Sequence, residues 1–211
     1  MPVDQSPAFA TALIRARGLV RCGGCGLPPG LCLCDELPAL TLQTQLVLVV
    51  HHVETHKSTN TGRLLARMVR GVDVRVRGQK AAAPRPPITA ARRLVLYPDP
   101  TARVLLPTDA GPDLALVIPD GTFGQARRMI NRDPDLLGAD IVQLPPGPPS
   151  RYGLRRSPLE GKVSTFEAVA RAIEILEGPE PAGVLMAAFD AFVERALIVR
   201  ESGKGGRAVL R

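Results

Sequence analysis

The chain has no tryptophan, and two tyrosines and five phenylalanines supply all the aromatic rings of its 211 residues, histidines aside. That scarcity argues against a broad stacking platform for single-stranded nucleic acid, which needs several rings along one groove. No apolar run approaches the roughly 18 residues of a membrane-spanning helix. The N-terminal stretch MPVDQSPAFATALIRARGLV has an early acid and no long apolar centre with a cleavage site, so no signal peptide is read. A soluble, cytoplasmic protein with no membrane partner is expected. There is no Walker loop and no G-x-G-x-x-G after a strand, so nothing points to a nucleotide triphosphatase or a dinucleotide enzyme. No G-x-S-x-G elbow is present, which leaves a serine hydrolase unsupported. No internal repeat is found.

What is present is positive charge and a compact set of thiols. The net charge of +7 comes mainly from arginine, whose planar fork matches phosphate oxygens, and this makes nucleic acid a candidate partner. All four cysteines fall in RCGGCGLPPGLCLC, at Cys22, Cys25, Cys32 and Cys34. Clustered thiols in a cytosolic chain suit a metal better than disulfides. The intervening glycines and prolines let the chain fold back so that four thiolates converge on one ion. Zinc in a closed, structural site is favoured; an iron–sulfur cluster and metal-free thiols are the alternatives.

The centre of the chain is Leu114 to Arg132, LALVIPDGTFGQARRMINR. An apolar run to Ile118 meets a Pro-Asp-Gly turn and then a helix, which describes a strand feeding a helix through a tight loop. Such loops gather at the carboxyl ends of parallel strands, where ligands bind. Asp120 would sit at that rim, with Gly121 permitting close approach and Thr122 capping the helix. The competing reading is a plain Asp-Gly turn with a capping hydroxyl.

Around this centre the chain alternates strands and helices. A short helix is expected over Phe9 to Arg17. Gln45 to Val50 is a buried strand, followed by all three histidines; His51 and His52 are expected to point to opposite sides of it. Ser58 to Arg63 opens a helix to about Arg70. Further strands are Val72 to Arg77, Arg93 to Tyr97, Arg103 to Leu106 and Ile141 to Leu144. Ser164, three residues before Glu167, opens a helix with a capping box that runs to about Glu177, and a last helix spans roughly Pro181 to Arg200. The pattern predicts an α/β domain with a mainly parallel sheet flanked by helices. The expected division is an N-terminal helix and cysteine segment over 1–40, a catalytic domain over 41–200 and a flexible basic tail over 201–211. A monomer is favoured.

Five segments in order resemble the DTW-domain family, the tRNA-uridine aminocarboxypropyltransferases. They are the cysteine cluster, Thr59 to Arg63, Asp120-Gly121-Thr122-Phe123, Tyr152 to Arg155, and Ser164 to Ala168. Phe123 stands where the family's motif has Trp, which keeps a flat apolar wall and loses the indole donor. The resemblance implies a fold related to the knotted SPOUT methyltransferases, S-adenosylmethionine as co-substrate, and transfer of its 3-amino-3-carboxypropyl group to N3 of a tRNA uridine. Methylthioadenosine is then the by-product.

On that reading Asp120 is the candidate general base or orienting group, with Thr122 fixing its carboxylate. Pro119, Gly121, Phe123, Ser164 and Thr165 would hold the cofactor, the helix start offering free amides. Arg155 or Arg151 would pair with the carboxylate of the transferred arm. Asn60 and Arg63 would sit on the RNA or cofactor side, counted with Arg127, Arg128 and Arg151 as the residues that face the RNA. A SPOUT-type RNA methyltransferase and a non-catalytic zinc-bearing RNA-binding module are the alternatives.

Overall fold

The computed structural model describes residues 14–16, 19–79, 85–154 and 163–204. In chain order, β1 (Ile14–Ala16) and β2 (Leu19–Arg21) form an antiparallel pair ahead of the cysteine segment. The strand β3 (Gln45–His51), the short helix α1 (His52–Thr55), helix α2 (Gly62–Met68), and strands β4 (Asp73–Arg77), β5 (Arg92–Leu96) and β6 (Arg103–Val104) follow. Then come β7 (Leu114–Asp120), α3 (Phe123–Arg132), β8 (Asp140–Gln143), α4 (Thr165–Glu177) and α5 (Pro179–Lys204).

Six strands form one sheet in the order β4-β3-β7-β5-β8-β6, and every pairing in it is parallel. The apolar runs explain why β3 and β7 lie inside. Alternation sends Leu46, Leu48, Val50, Leu114, Leu116 and Ile118 to one face, where α2, α4 and α5 cover them. Val47, Val49, Ala115 and Val117 go to the other face, against Met129 and Ile130 of α3. Cys25, Leu27 and Leu33 belong to the first core, so the cysteine segment packs on the same face as the helices. Arg195 of α5 ties it down by donating to the Cys32 carbonyl at 2.9 Å. On the opposite side, Arg75 and Arg77 of β4 pair with Asp135 and Asp133 just beyond α3.

Three local expectations are corrected. Ile14–Ala16 is a strand, not part of a helix, because pairing with Leu19–Arg21 satisfies its backbone; the rest of the expected Phe9–Arg17 helix lies outside the described residues. The last helix starts at Pro179, since proline is tolerated in a first turn. It continues to Lys204, taking in the first four residues of the expected tail; 205–211 lie outside the described residues. His51 ends β3 while His52 begins α1, so their rings do not diverge but lie 4.6 Å apart, centroid to centroid. Among the described residues no helix is long and apolar enough to cross a membrane.

Candidate active site

Pro119 lies inside β7, and this shapes the site. Pairing with β3 continues to Asp120, whereas pairing with β5 ends at Val117, short of a residue that has no N–H to donate. The sheet parts there, at its carboxyl edge, where open parallel sheets take their ligands. A cavity of about 660 Å³ opens, with walls from Leu96, Tyr97, Ile118, Pro119, Leu144 and Ala168 and with Arg171 at its side. A second, more polar cavity of about 380 Å³ is lined by Glu54, Lys57, Asn60, Asp120 and Tyr152. Gly121, Phe123, Ser164 and Thr165 line both. The apolar cavity and the carboxylate therefore meet at the strand–helix turn.

Asp120 is only 6% exposed. Its Oδ1 accepts the Thr165 hydroxyl at 2.7 Å and its Oδ2 accepts the Asn60 amide at 2.6 Å. Burial pushes its pKa above the usual aspartate value, and these two donors pull the other way without cancelling it. Asn60 is held in turn, because its Oδ1 accepts the Arg63 backbone N–H at 3.2 Å. The register of its amide is thereby fixed. Thr165, 45 residues downstream, does what the sequence suggested for Thr122. Thr122 instead caps α3: its hydroxyl accepts from Gln125 N at 3.3 Å while Gln125 Oε1 accepts Thr122 N at 2.8 Å. A side chain at Gly121 would meet Gln125 at 3.1 Å, so glycine keeps this reciprocal cap closed against the strand end.

The start of α4 is less open to a ligand than expected. Ser164 caps Glu167 N, the Glu167 carboxylate accepts Ser164 N at 2.8 Å, and Phe166 N is bonded to Thr61 Oγ1. Glu167 also accepts the Ser150 hydroxyl and Arg151 N, which fastens the end of the loop Pro145-Pro146-Gly147-Pro148-Pro149 to the helix. Arg151 itself pairs with Asp190 on α5 at 2.7 Å. Arg155 lies outside the described residues. Arg127 and Arg128 are exposed on α3, and beside them a groove of about 300 Å³ is lined by His51, Arg77, Arg128 and Arg132. Burial and the neighbouring His52 lower the His51 pKa.

Two expected RNA contacts point inward. Arg63 is 2% exposed, and its guanidinium donates to the carbonyls of Gly23 and Thr55; helical periodicity turns it toward the core. Asn60 is 5% exposed and bonded to Asp120. It lines the polar cavity rather than an open face.

The four sulfurs of Cys22, Cys25, Cys32 and Cys34 lie within 4.8 Å of one another, with Cys22 to Cys34 at 3.5 Å and Cys25 to Cys32 at 3.7 Å. Four ligands at about 2.3 Å from a tetrahedral ion would stand close to these separations. The cluster could hold a metal ion. The thiols do not ionise alike: a hydrogen bond from Cys34 first, and then backbone amides, pull Cys25 down to about 5, while burial first, and then Cys22 and Cys25, push Cys32 up to about 11. A cation among them removes that difference.

The DTW domain profile matches residues 19–197. Curated relatives include proteins named tRNA-uridine aminocarboxypropyltransferase 2 from Macaca fascicularis, 32% identical over 168 residues, and from Mus musculus, 30% identical over 168 residues. Each match covers 74% of this chain and 56% of the relative. A protein of the same name from Drosophila melanogaster is 30% identical, with 66% of its length covered. The chain thus spans little more than half the length of the first two. No solved structure gives a significant match. The match across most of the sequence and the relatives named for one activity identify the chain as a member of the DTW-domain family.

Proposed function

We propose that this protein transfers the 3-amino-3-carboxypropyl group of S-adenosylmethionine to N3 of a uridine in tRNA, leaving methylthioadenosine. The observation that carries the reading is the meeting of the apolar cavity with the Asp120 cavity at Gly121, Phe123, Ser164 and Thr165. Two reactants held there are presented to each other across one wall.

When bound, S-adenosylmethionine supplies a sulfonium whose carbon substituents are open to displacement. The apolar wall of Leu96, Ile118, Leu144 and Ala168 suits its adenosine, and Arg171 can pair with the carboxylate of the arm. Asp120 accepts the N3 proton as the nitrogen bonds to carbon and the carbon–sulfur bond breaks. Its raised pKa makes it a better base than a solvated aspartate. Thr165 and Asn60 hold both of its oxygens, which leaves little freedom to rotate away. Lys57, on the same cavity, can stabilise charge developing on the uridine oxygens.

The phosphates of the tRNA would run over Arg127, Arg128, Arg132 and His51. Binding should then weaken steeply with salt, with a log–log slope of several units. The ion in the cysteine cluster is zinc in a structural role: elemental analysis should find about one per chain. The deciding experiment is mass spectrometry of tRNA nucleosides and small products after incubation with S-adenosylmethionine. An aminocarboxypropyl uridine with methylthioadenosine supports the reading. A methylated nucleoside with S-adenosylhomocysteine overturns it in favour of a methyltransferase.

A further inference from the structure

The buried Arg63 stands between the cysteine cluster and the carboxylate. Its Nη1 donates to the carbonyl of Gly23, which lies between Cys22 and Cys25, at 2.6 Å, and its Nη2 donates to the carbonyl of Thr55. Its backbone N–H holds Asn60 Oδ1, and Asn60 Nδ2 holds Asp120 Oδ2. The cysteine segment also lies hard against this loop. Gly26 has φ +77°, and a side chain there would come within 2.7 Å of the Ser58 carbonyl. Burial acts most strongly on the guanidinium and lowers its pKa, while the charges of Cys22 and Cys25 act the other way and favour its charged form.

Four thiolates around a divalent ion leave a net negative centre, and a buried charge is tolerated only when compensated. We infer that Arg63 is the counter-ion of the tetrathiolate metal centre and a positioning residue for Asp120, so that the metal centre holds the base in place through Arg63 and Asn60. This rests on both the metal and the transferase readings. The fork is needed because one planar group bonds two carbonyls at once, which a lysine ammonium on a flexible stem does less well.

The test uses the zinc-loaded full chain and two variants, Arg63→Met and Arg63→Lys. Release of the ion to a chromogenic chelator should be at least about tenfold faster in Arg63→Met and near the wild-type rate in Arg63→Lys, which keeps the charge. Hydrogen exchange across residues 55–63 should speed up in both variants, and in wild type after chelation, while α5 keeps its protection. In the transfer assay both should lose about tenfold in kcat with the KM for S-adenosylmethionine little changed, and the acid limb of kcat should move up as Asn60 loosens its grip on Asp120. A wild-type release rate in Arg63→Met overturns the counter-ion role. Unchanged exchange over 55–63 and an unmoved acid limb overturn the positioning role. Wild-type protein that takes up no metal overturns the metal reading and this inference with it. Metal-loaded wild type without transfer activity overturns the transferase reading alone, and release and exchange then decide whether Arg63 couples the two regions.

Discussion

Asp109 and Asp120 are buried to nearly the same degree, 7% and 6% exposed, yet their surroundings drive their carboxyl groups in opposite directions. Asp109 accepts both guanidinium nitrogens of Arg103 at 2.8 Å and the Leu106 N–H at 2.9 Å. The Arg103 hydrogen bonds come first among the causes that hold its pKa below the usual range. Asp120 has neutral donors, Thr165 and Asn60, and burial wins. One acid is neutralised by a partner and serves to tie β6 to the turn at Pro107–Asp109. The other has its pKa raised next to a cavity, and in the proposed mechanism that contrast separates the structural aspartate from the base.

The largest test of the contrast is Asp120→Asn. The amide can still accept from Asn60, and its own N–H can be accepted by the Thr165 hydroxyl, so the geometry survives while the base is lost. Single-turnover transfer should fall by about 100-fold or more, with S-adenosylmethionine affinity by calorimetry little changed. Near wild-type turnover would return Asp120 to the role of a turn residue. Thr165→Val removes one donor and keeps the shape. A loss of about tenfold in kcat is expected, with the acid limb of the profile moving upward; an unmoved limb would show that Thr165 only packs.

For Asp109→Asn the expected change is in stability alone. Urea denaturation should show a loss of about 1 kcal/mol, less than a fully buried charged pair would give, because Arg103 is 45% exposed and water screens it. Transfer activity should stay at the wild-type level. A drop in kcat without a drop in stability would break the distinction between the two acids.

Much of this site was legible in the sequence where the signal is local. The Pro-Asp-Gly turn, the cap at Thr122, the capping box at Ser164 and Glu167, and the cysteine spacing are written in neighbouring residues. So was the burial of β3 and β7, which follows from their unbroken apolar runs. What escaped is carried by distance. Asn60 and Asp120 are 60 residues apart and Thr165 is 45 beyond, so nothing in the pattern says which hydroxyl reaches the carboxylate. The family resemblance puts Arg63 on the RNA or cofactor side, and the competing reading is a solvated charge, as arginine usually is. The clue against that is its place beside Leu64 and Leu65 in a helix buried on nearly all sides, where an arginine must find acceptors inside.

The last test follows stability against pH, and it sets the two acids against each other most directly. Asp120 has a folded pKa raised above its unfolded value. Relative to Asn, the ionised group therefore costs the fold stability above the folded pKa, and that cost disappears as pH falls toward the unfolded value near 3.9. Asp109 has its folded pKa lowered. Its contribution is present above the unfolded value and is lost as pH falls through the folded one. Unfolding free energies of wild type, Asp109→Asn and Asp120→Asn, measured from pH 7 down to the acid transition, separate these cases, since subtraction from wild type cancels the other carboxylates. The stability deficit of Asp109→Asn should shrink toward acid, and so should any advantage of Asp120→Asn, so the two difference curves should approach zero from opposite sides. A tenfold change in acidity between the folded and unfolded chain corresponds to about 1.4 kcal/mol at most, and solvent around Arg103 trims the Asp109 curve below that. Two curves of the same sign would mean that Asp120 has found a cation in the folded protein, and the case for it as a base would fall with its raised pKa.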